Sequence, residues 1–239
     1  MPTHPIKEMK AENCSPMKVY VSVTNNCNMF CRHCCYNSGP EGKDFISMEA
    51  FEVALSLEPQ ALLNIGGGEP TCHPLFWDLM SLAIRRRGVN QVWIATNGKR
   101  TDDALELARM IGLGVIRGVL SQDKWHEPVE DKVVKAFRLA KRSKSAIRDI
   151  SKKDRFVPIY GGRCDWGCRW ECVGDNMLFV QPNGEIRQCA CEFSPIIGDV
   201  FFGYKPIFSG NNAWRCAFGK PSPGYGKKQY QRNTDENNK

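Results

Sequence analysis

Between residues 17 and 142, strand-like apolar runs alternate four times with amphipathic helix patterns, and this alternation constrains the fold more than any other feature. The strand runs are 17–24, 61–65, 91–95 and 115–120, rich in β-branched and aromatic residues. The helix patterns are 48–57 after Ser47 as N-cap, 74–87 from Pro74, 102–111 after Thr101 as N-cap, and 128–142 from Pro128. Acids and prolines open these segments, as at Asp102 and Asp103. Bases and glycines close them, as at Arg85-Arg86-Arg87-Gly88 and Gly112. That polarity suits the helix dipole and the orphan groups at helix ends. Strand alternating with helix predicts parallel βα units and an α/β fold. A further strand is expected at 156–160. The total falls short of the eight units of a closed barrel, so the expectation is a shortened, partial βα barrel.

Each of the four strand runs is followed by residues with chemical potential. After the first come Cys27, Cys31 and Cys34, in Cys27-Asn28-Met29-Phe30-Cys31-Arg32-His33-Cys34. Three thiolates this close can grip one metal centre, and a four-iron cluster so held keeps one iron open. A structural zinc is the competing reading, with Cys35 or His33 as the fourth ligand. After the second comes Gly66-Gly67-Gly68-Glu69-Pro70, where glycines allow close backbone approach and Glu69 can accept from an ammonium group. After the third comes Thr96-Asn97-Gly98, and after the fourth Ser121-Gln122-Asp123. Active sites of βα barrels lie at the C-terminal ends of strands. Four unrelated turns would not all be expected to fall there.

The cysteine spacing C-x3-C-x-Φ-C, together with the glycine–glutamate–proline run, resembles the signature of the radical S-adenosylmethionine (SAM) superfamily. His33 stands where that family carries an aromatic residue. The resemblance implies a [4Fe-4S] cluster on Cys27, Cys31 and Cys34, with the amino and carboxylate groups of SAM on the open iron. It implies reductive cleavage of SAM to a 5′-deoxyadenosyl radical that abstracts hydrogen from a substrate. It places Gly67, Gly68 and Glu69 at the SAM amino group. It adds His33, Asn97, Ser121 and Asp123 as cofactor contacts, the last two at the ribose or methionine part. A flavodoxin- or ferredoxin-type electron donor follows as a partner. The family's late-strand adenine motif is not evident, so the adenine contacts stay unassigned.

Six more cysteines lie between 164 and 216: Cys164, Cys168, Cys172, Cys189, Cys191 and Cys216. Runs 177–180 and 185–187 flank Pro182-Asn183-Gly184 and predict a β-hairpin. The spacing Cys172, Gly184, Cys189 resembles the start of the SPASM and twitch extensions of radical SAM enzymes. The resemblance implies an auxiliary [4Fe-4S] cluster drawing on Cys168, Cys172, Cys189, Cys191 and Cys216. The later cysteine run of a full SPASM domain is absent, which favours one cluster; a zinc ribbon is the alternative. Cys14 and Cys72 read as ordinary thiols. The expected organisation is an N-terminal extension over 1–16, a partial barrel over 17–160, a twitch-like auxiliary domain over 161–219 and a disordered tail over 220–239.

The 239 residues suffice for one sizeable core and a small appendage. No apolar stretch approaches the ~20 residues of a membrane span, and the first fourteen residues lack a signal-peptide core. Twelve cysteines without such a signal fit reduced, metal-binding thiols in the cytoplasm. The net charge of +7 permits contact with nucleic acid or an acidic peptide but specifies neither. A zinc-containing nucleic-acid-binding module is therefore the rival class, although it does not account for the ordered strand-end motifs. A peptide is the first expected substrate class. A small alcohol or sugar is the second and a nucleoside the third.

Overall fold

The computed structural model describes residues 18–140, 146–149, 163, 177–187, 190, 194 and 196–205. One sheet organises them. Its first four strands are β1 (Lys18–Ser22), β2 (Leu62–Gly66), β3 (Val92–Thr96) and β4 (Arg117–Ser121). These four pair in parallel and in sequence order, as the alternation predicts. A two-residue strand, β5 (Ile147–Arg148), extends the β4 edge in parallel. The expected strand at 156–160 and all six cysteines from 164 to 216 lie outside the described residues.

On the other side of β1 lies β6 (Met177–Val180), also parallel. It turns antiparallel into β7 (Glu185–Arg187), then β8 (Ile196–Asp199) and β9 (Gly203–Tyr204). The expected hairpin is present, and it continues the barrel sheet. Its loop is three residues long: the Gln181 N–H donates to Glu185 O at 2.8 Å, and Gly184 takes a left-handed φ of 90°. A three-residue loop favours glycine at that position. The strand order is β5-β4-β3-β2-β1-β6-β7-β8-β9. Among the described residues the two outer strands do not meet, so the sheet stays open, as a partial barrel requires.

Four helices cover one face: α1 (Met48–Ala54), α2 (Phe76–Arg87), α3 (Thr101–Gly112) and α4 (Asp131–Leu139). Val19, Val21, Leu63, Ile65, Val92, Ile94 and Leu120 are fully buried in the cluster that also holds Phe51, Leu79, Leu107 and Phe137. Each such side chain contributes about 1.5–3 kcal/mol on burial. Ser47 caps α1 as expected, accepting from the Ala50 N–H at 3.0 Å. Three helix starts differ from the sequence expectation. Pro74 precedes α2 rather than opening it, because Pro70–Cys72 already forms a 3₁₀ turn and His73 stays extended. Thr101 is the first helical residue of α3, and its hydroxyl donates to Glu130 rather than capping. The helix after Pro128 begins at Asp131, with Glu130 extended at the cap position. Helix α1 also stops early, at Ala54. There Arg87, from the end of α2, donates to the carbonyls of Leu55, Leu57, Glu58 and Ala61. A guanidinium at a helix C-terminus satisfies orphan carbonyls and complements the dipole.

Candidate active site

The cysteine loop leaves the C-terminal end of β1 and is built by the three polar residues before Cys27. The Thr24 hydroxyl donates to Asp44 O at 2.8 Å and accepts from the Asn26 N–H at 2.9 Å. Asn25 exchanges bonds with Asp44, and the Asn26 amide donates to Pro40 O and Gly42 O. Short polar side chains of this kind compete with regular strand pairing and shape loops. These polar residues are the sequence signal for the loop's shape, which the cysteine spacing alone does not carry.

The glycine run is sewn directly to this loop. The Val23 N–H donates to Gly66 O, Gly68 N–H to Thr24 O and Glu69 N–H to Asn26 O, at 2.9, 2.7 and 2.9 Å. A Cβ on Gly67 or Gly68 would collide with the backbone of Thr24 or Asn26, and Gly67 has a φ of 139°. The close approach these glycines permit is thus first of all to the chain's own cysteine loop. Gly66 makes room for Tyr20, whose hydroxyl accepts from the Gly67 N–H at 3.2 Å.

Glu69 is 1% exposed and ties three of the four motifs together. Its Oε1 accepts from the Thr71 N–H, the Thr71 hydroxyl and the Thr96 hydroxyl, at 3.3, 2.8 and 2.8 Å. Its Oε2 accepts from the Asn97 N–H at 2.7 Å. Burial pushes its pKa up, against the pull of these donors, led by the Asn97 N–H. The Asn97 side chain then turns to the cysteines: Nδ2 lies 3.7 Å from Cys27 Sγ and donates to Asn28 Oδ1 at 2.8 Å. Cys27, Glu69 and Asn97 therefore form one network.

The fourth strand end faces the same loop. Asp123 Oδ1 accepts from the Trp125 N–H at 3.0 Å and pairs with His126 Nδ1 at 2.9 Å. Burial alone would raise the Asp123 pKa, but His126 and the Trp125 N–H bring it below its usual value. The His33 ring lies 4.8 Å from the His126 ring and 5.3 Å from that of Trp125. Ligand atoms of His33, Asp123 and His126 all fall within 4.8 Å of one another. Burial, with His126 beside it, pushes the His33 pKa down to about 4, so the ring is neutral at neutral pH. Among the described residues, His33 Nδ1 is buried without a hydrogen-bond partner. Ser121 is buried and accepts from Arg148 Nη2 at 2.7 Å. His126 and Trp125 were missed by the sequence reading; their proximity in sequence to Asp123 was the available clue.

The donor set suits an iron–sulfur centre. Cys27 is buried, and Cys31 and Cys34 are half-buried. Burial pushes the Cys27 thiol up to about 12, with Glu69, Cys31 and Cys34 adding to it against the Met29 N–H. Burial and the neighbouring Cys34 and Asp123 push Cys31 up to about 11. A cationic centre between these thiols would offset the burial and mutual repulsion that hold them protonated.

The family model of the Radical SAM superfamily matches residues 21–156, more than half of the chain. The chain belongs to that superfamily. Its curated relatives include mycofactocin maturase MftC of Mycobacterium ulcerans, 31% identical over 123 residues, covering 50% of this chain and 32% of the relative. They also include a GTP 3′,8-cyclase of Chlorobaculum tepidum, 28% identical over 113 residues, covering 45% and 34%. The chain thus matches about a third of the length of these relatives. Among solved structures, BtrN in complex with AdoMet and 2-DOIA superposes with a TM-score of 0.57 at 16% identity, over 78% of both chains. The tagged anSMEcpe with bound AdoMet gives 0.51 at 14% identity, over 77% and 78%. These two likenesses establish the fold: a parallel-dominated, open α/β sheet of the radical SAM type. Among the described residues, no helix is long and apolar enough to cross a membrane.

Proposed function

We propose that this chain reductively cleaves SAM and uses the resulting 5′-deoxyadenosyl radical to take hydrogen from a peptide substrate. The observation that carries the radical chemistry is the Cys27–Asn97–Glu69 network, which joins three strand-end motifs at one end of the sheet. Cys27, Cys31 and Cys34 hold the [4Fe-4S] cluster, which when bound supplies the electron for cleavage. Gly67 and Gly68 present backbone, and Glu69 a carboxylate, toward the SAM amino group. Oε2 of Glu69 accepts from the Asn97 N–H, which leaves it a lone pair for that ammonium. The neutral His33 ring, with Trp125 beside it, offers a flat surface to the nucleoside. Asp123 has Oδ1 engaged by His126 and Trp125, and its Oδ2 and Ser121 serve the ribose or methionine hydroxyls and carboxylate. A flavodoxin- or ferredoxin-type protein supplies the electron.

The peptide reading rests on the mycofactocin maturase relatives, whose identity reaches 31–34% over matched segments of 90 to 123 residues. A twitch-like region over 161–219 with an auxiliary [4Fe-4S] cluster, built from Cys168, Cys172, Cys189, Cys191 and Cys216, belongs to the same reading. The cyclase relatives favour a nucleotide substrate as the second reading. The test is anaerobic reconstitution with iron and sulfide, followed by SAM and dithionite. The wild type should release 5′-deoxyadenosine, and the combined Cys27→Ala, Cys31→Ala, Cys34→Ala variant should release none. Undiminished product from that variant defeats the assignment. Transfer of deuterium into 5′-deoxyadenosine from a labelled peptide, and not from labelled GTP, decides the substrate class.

A further inference from the structure

Arg163 reaches the cysteine loop from far along the chain and makes four hydrogen bonds to it. Its Nε donates to Cys31 O at 3.1 Å, Nη1 to Asn37 Oδ1 at 3.2 Å and Nη2 to Ser38 O at 2.5 Å. Its own backbone N–H donates to Cys34 O at 3.0 Å. The face of the guanidinium covers the Phe30 ring, with Cζ 3.7 Å from the centroid. Phe30 stands between Cys27 and Cys31 in the chain and remains 66% exposed with the guanidinium over it. These partners are 125 to 132 residues away in sequence. Four of the five contacts end on the Cys31–Ser38 segment, which carries Cys31 and Cys34.

This geometry needs an arginine. The planar fork distributes donors over three acceptors while one face stacks on a ring, which an ammonium group cannot do. Donors from within the loop reach two of the same acceptors. Within it, the Cys34 N–H bonds Cys31 O at 3.2 Å and the Asn37 N–H bonds Cys34 O at a long 3.4 Å. A loop whose carbonyls are gripped by a fixed cation keeps its thiols in one arrangement. The same cation sits one residue's backbone away from Cys31 Sγ.

We propose that Arg163 is a positioning residue of the iron–sulfur site: it fixes the Cys31–Ser38 segment and holds a permanent positive charge against the cluster. The inference rests on the reading of Cys27, Cys31 and Cys34 as cluster ligands. Two consequences follow from charge and geometry. A nearby cation favours the reduced, more negative cluster, so its removal moves the reduction potential to a more negative value. Release of the loop carbonyls lets the thiolates leave more readily, so iron is lost faster.

The experiment uses the full-length chain, reconstituted anaerobically, as wild type, Arg163→Gln and Arg163→Lys. The reduction potential is read from the paramagnetic signal that changes on SAM addition, which marks the cluster with the open iron. Iron loss is read as the rate of bleaching by a chelator. Arg163→Gln should shift the potential negative and bleach several-fold faster than wild type. Arg163→Lys should stay nearer the wild-type potential and still bleach faster, because it retains charge and loses the fork. Wild-type potential and wild-type bleaching in Arg163→Gln would overturn the proposal. Failure of both variants to fold would also overturn it, because Arg163 would then be part of the general fold and not of the loop. If the wild type itself forms no SAM-responsive cluster, the functional reading fails instead, which keeps the two failures apart.

Discussion

Glu69→Gln offers the sharpest test of how the site is held together, because the change is nearly isosteric and the four donors around the carboxylate are known. The amide oxygen can take the Oε1 position and keep Thr71 and Thr96. The amide NH₂ must then face the Asn97 N–H, so a 2.7 Å bond becomes a donor–donor contact. An unpaired buried N–H costs about 1–3 kcal/mol. Exchange of charge-assisted for neutral bonds at Oε1 adds about 1 kcal/mol. Relief of the buried charge, which raises the Glu69 pKa, works in the opposite direction and keeps the sum toward the lower end. The expected loss is about 2 kcal/mol, or a drop of roughly 4–8 °C in melting temperature for a chain of this size. Circular dichroism melts should be made on protein without cluster and without SAM, in wild type and variant. The loss should appear there undiminished, since every donor comes from the chain. An unchanged melt, with only SAM affinity reduced, would refute the account of Glu69 as the tie between β2 and β3.

Gly68→Ala places a methyl group against the Asn26 backbone; overpacking there should cost about 1–3 kcal/mol, read as a lower urea midpoint together with poorer iron incorporation. Asn97→Ala removes the donor beside Cys27 Sγ and the bond to Asn28; it should leave the fold within about 1 kcal/mol of wild type while shifting the cluster's visible absorption, and an identical spectrum would show that the amide does not reach the sulfur. For the second cysteine region, the variant lacking Cys27, Cys31 and Cys34 should still bind about four irons, the complement of one cubane. Further Cys172→Ala and Cys189→Ala changes should remove them, whereas zinc without iron in the first variant would favour a structural ribbon.

The sequence made the strand ends legible because two independent signals coincide there. Apolar runs such as Leu62–Gly66 and Val92–Thr96 are fixed by burial on the helix-covered face. The residues after them are fixed by chemistry. Boundaries were less legible where a side chain from elsewhere intervenes. Helix α1 ends early at carbonyls taken by Arg87, which no local pattern reports. Strand β5 has two residues, too short for any period to show. Long-range partners were invisible for the same reason. Glu69 read as a lone ligand for a cofactor, because its bonds to Thr96 and Asn97 span 27 and 28 residues. Arg163 stands beside Cys164 at the start of the second cysteine run, and its side-chain bonds to the first cysteine loop span 125 to 132 residues, beyond any local pattern.

The position of β1 has a consequence for the order in which the molecule can be assembled. Its neighbours are β2 and β6, so one flank is matched by residue 66 and the other only by residues 177–180. While the chain is being made, the strand that carries the cysteine loop therefore presents a row of unpaired amides and carbonyls until residues 177–180 emerge. Such an edge invites pairing with another chain, and contacts of this sequence separation form slowly. Fragments that stop before Met177 should consequently self-associate through β1, even though every residue of the cysteine motif is present. Competence to assemble the metal site thus waits on β6, when Phe179 stacks against Tyr20 and Tyr36 and closes the flank beside the loop.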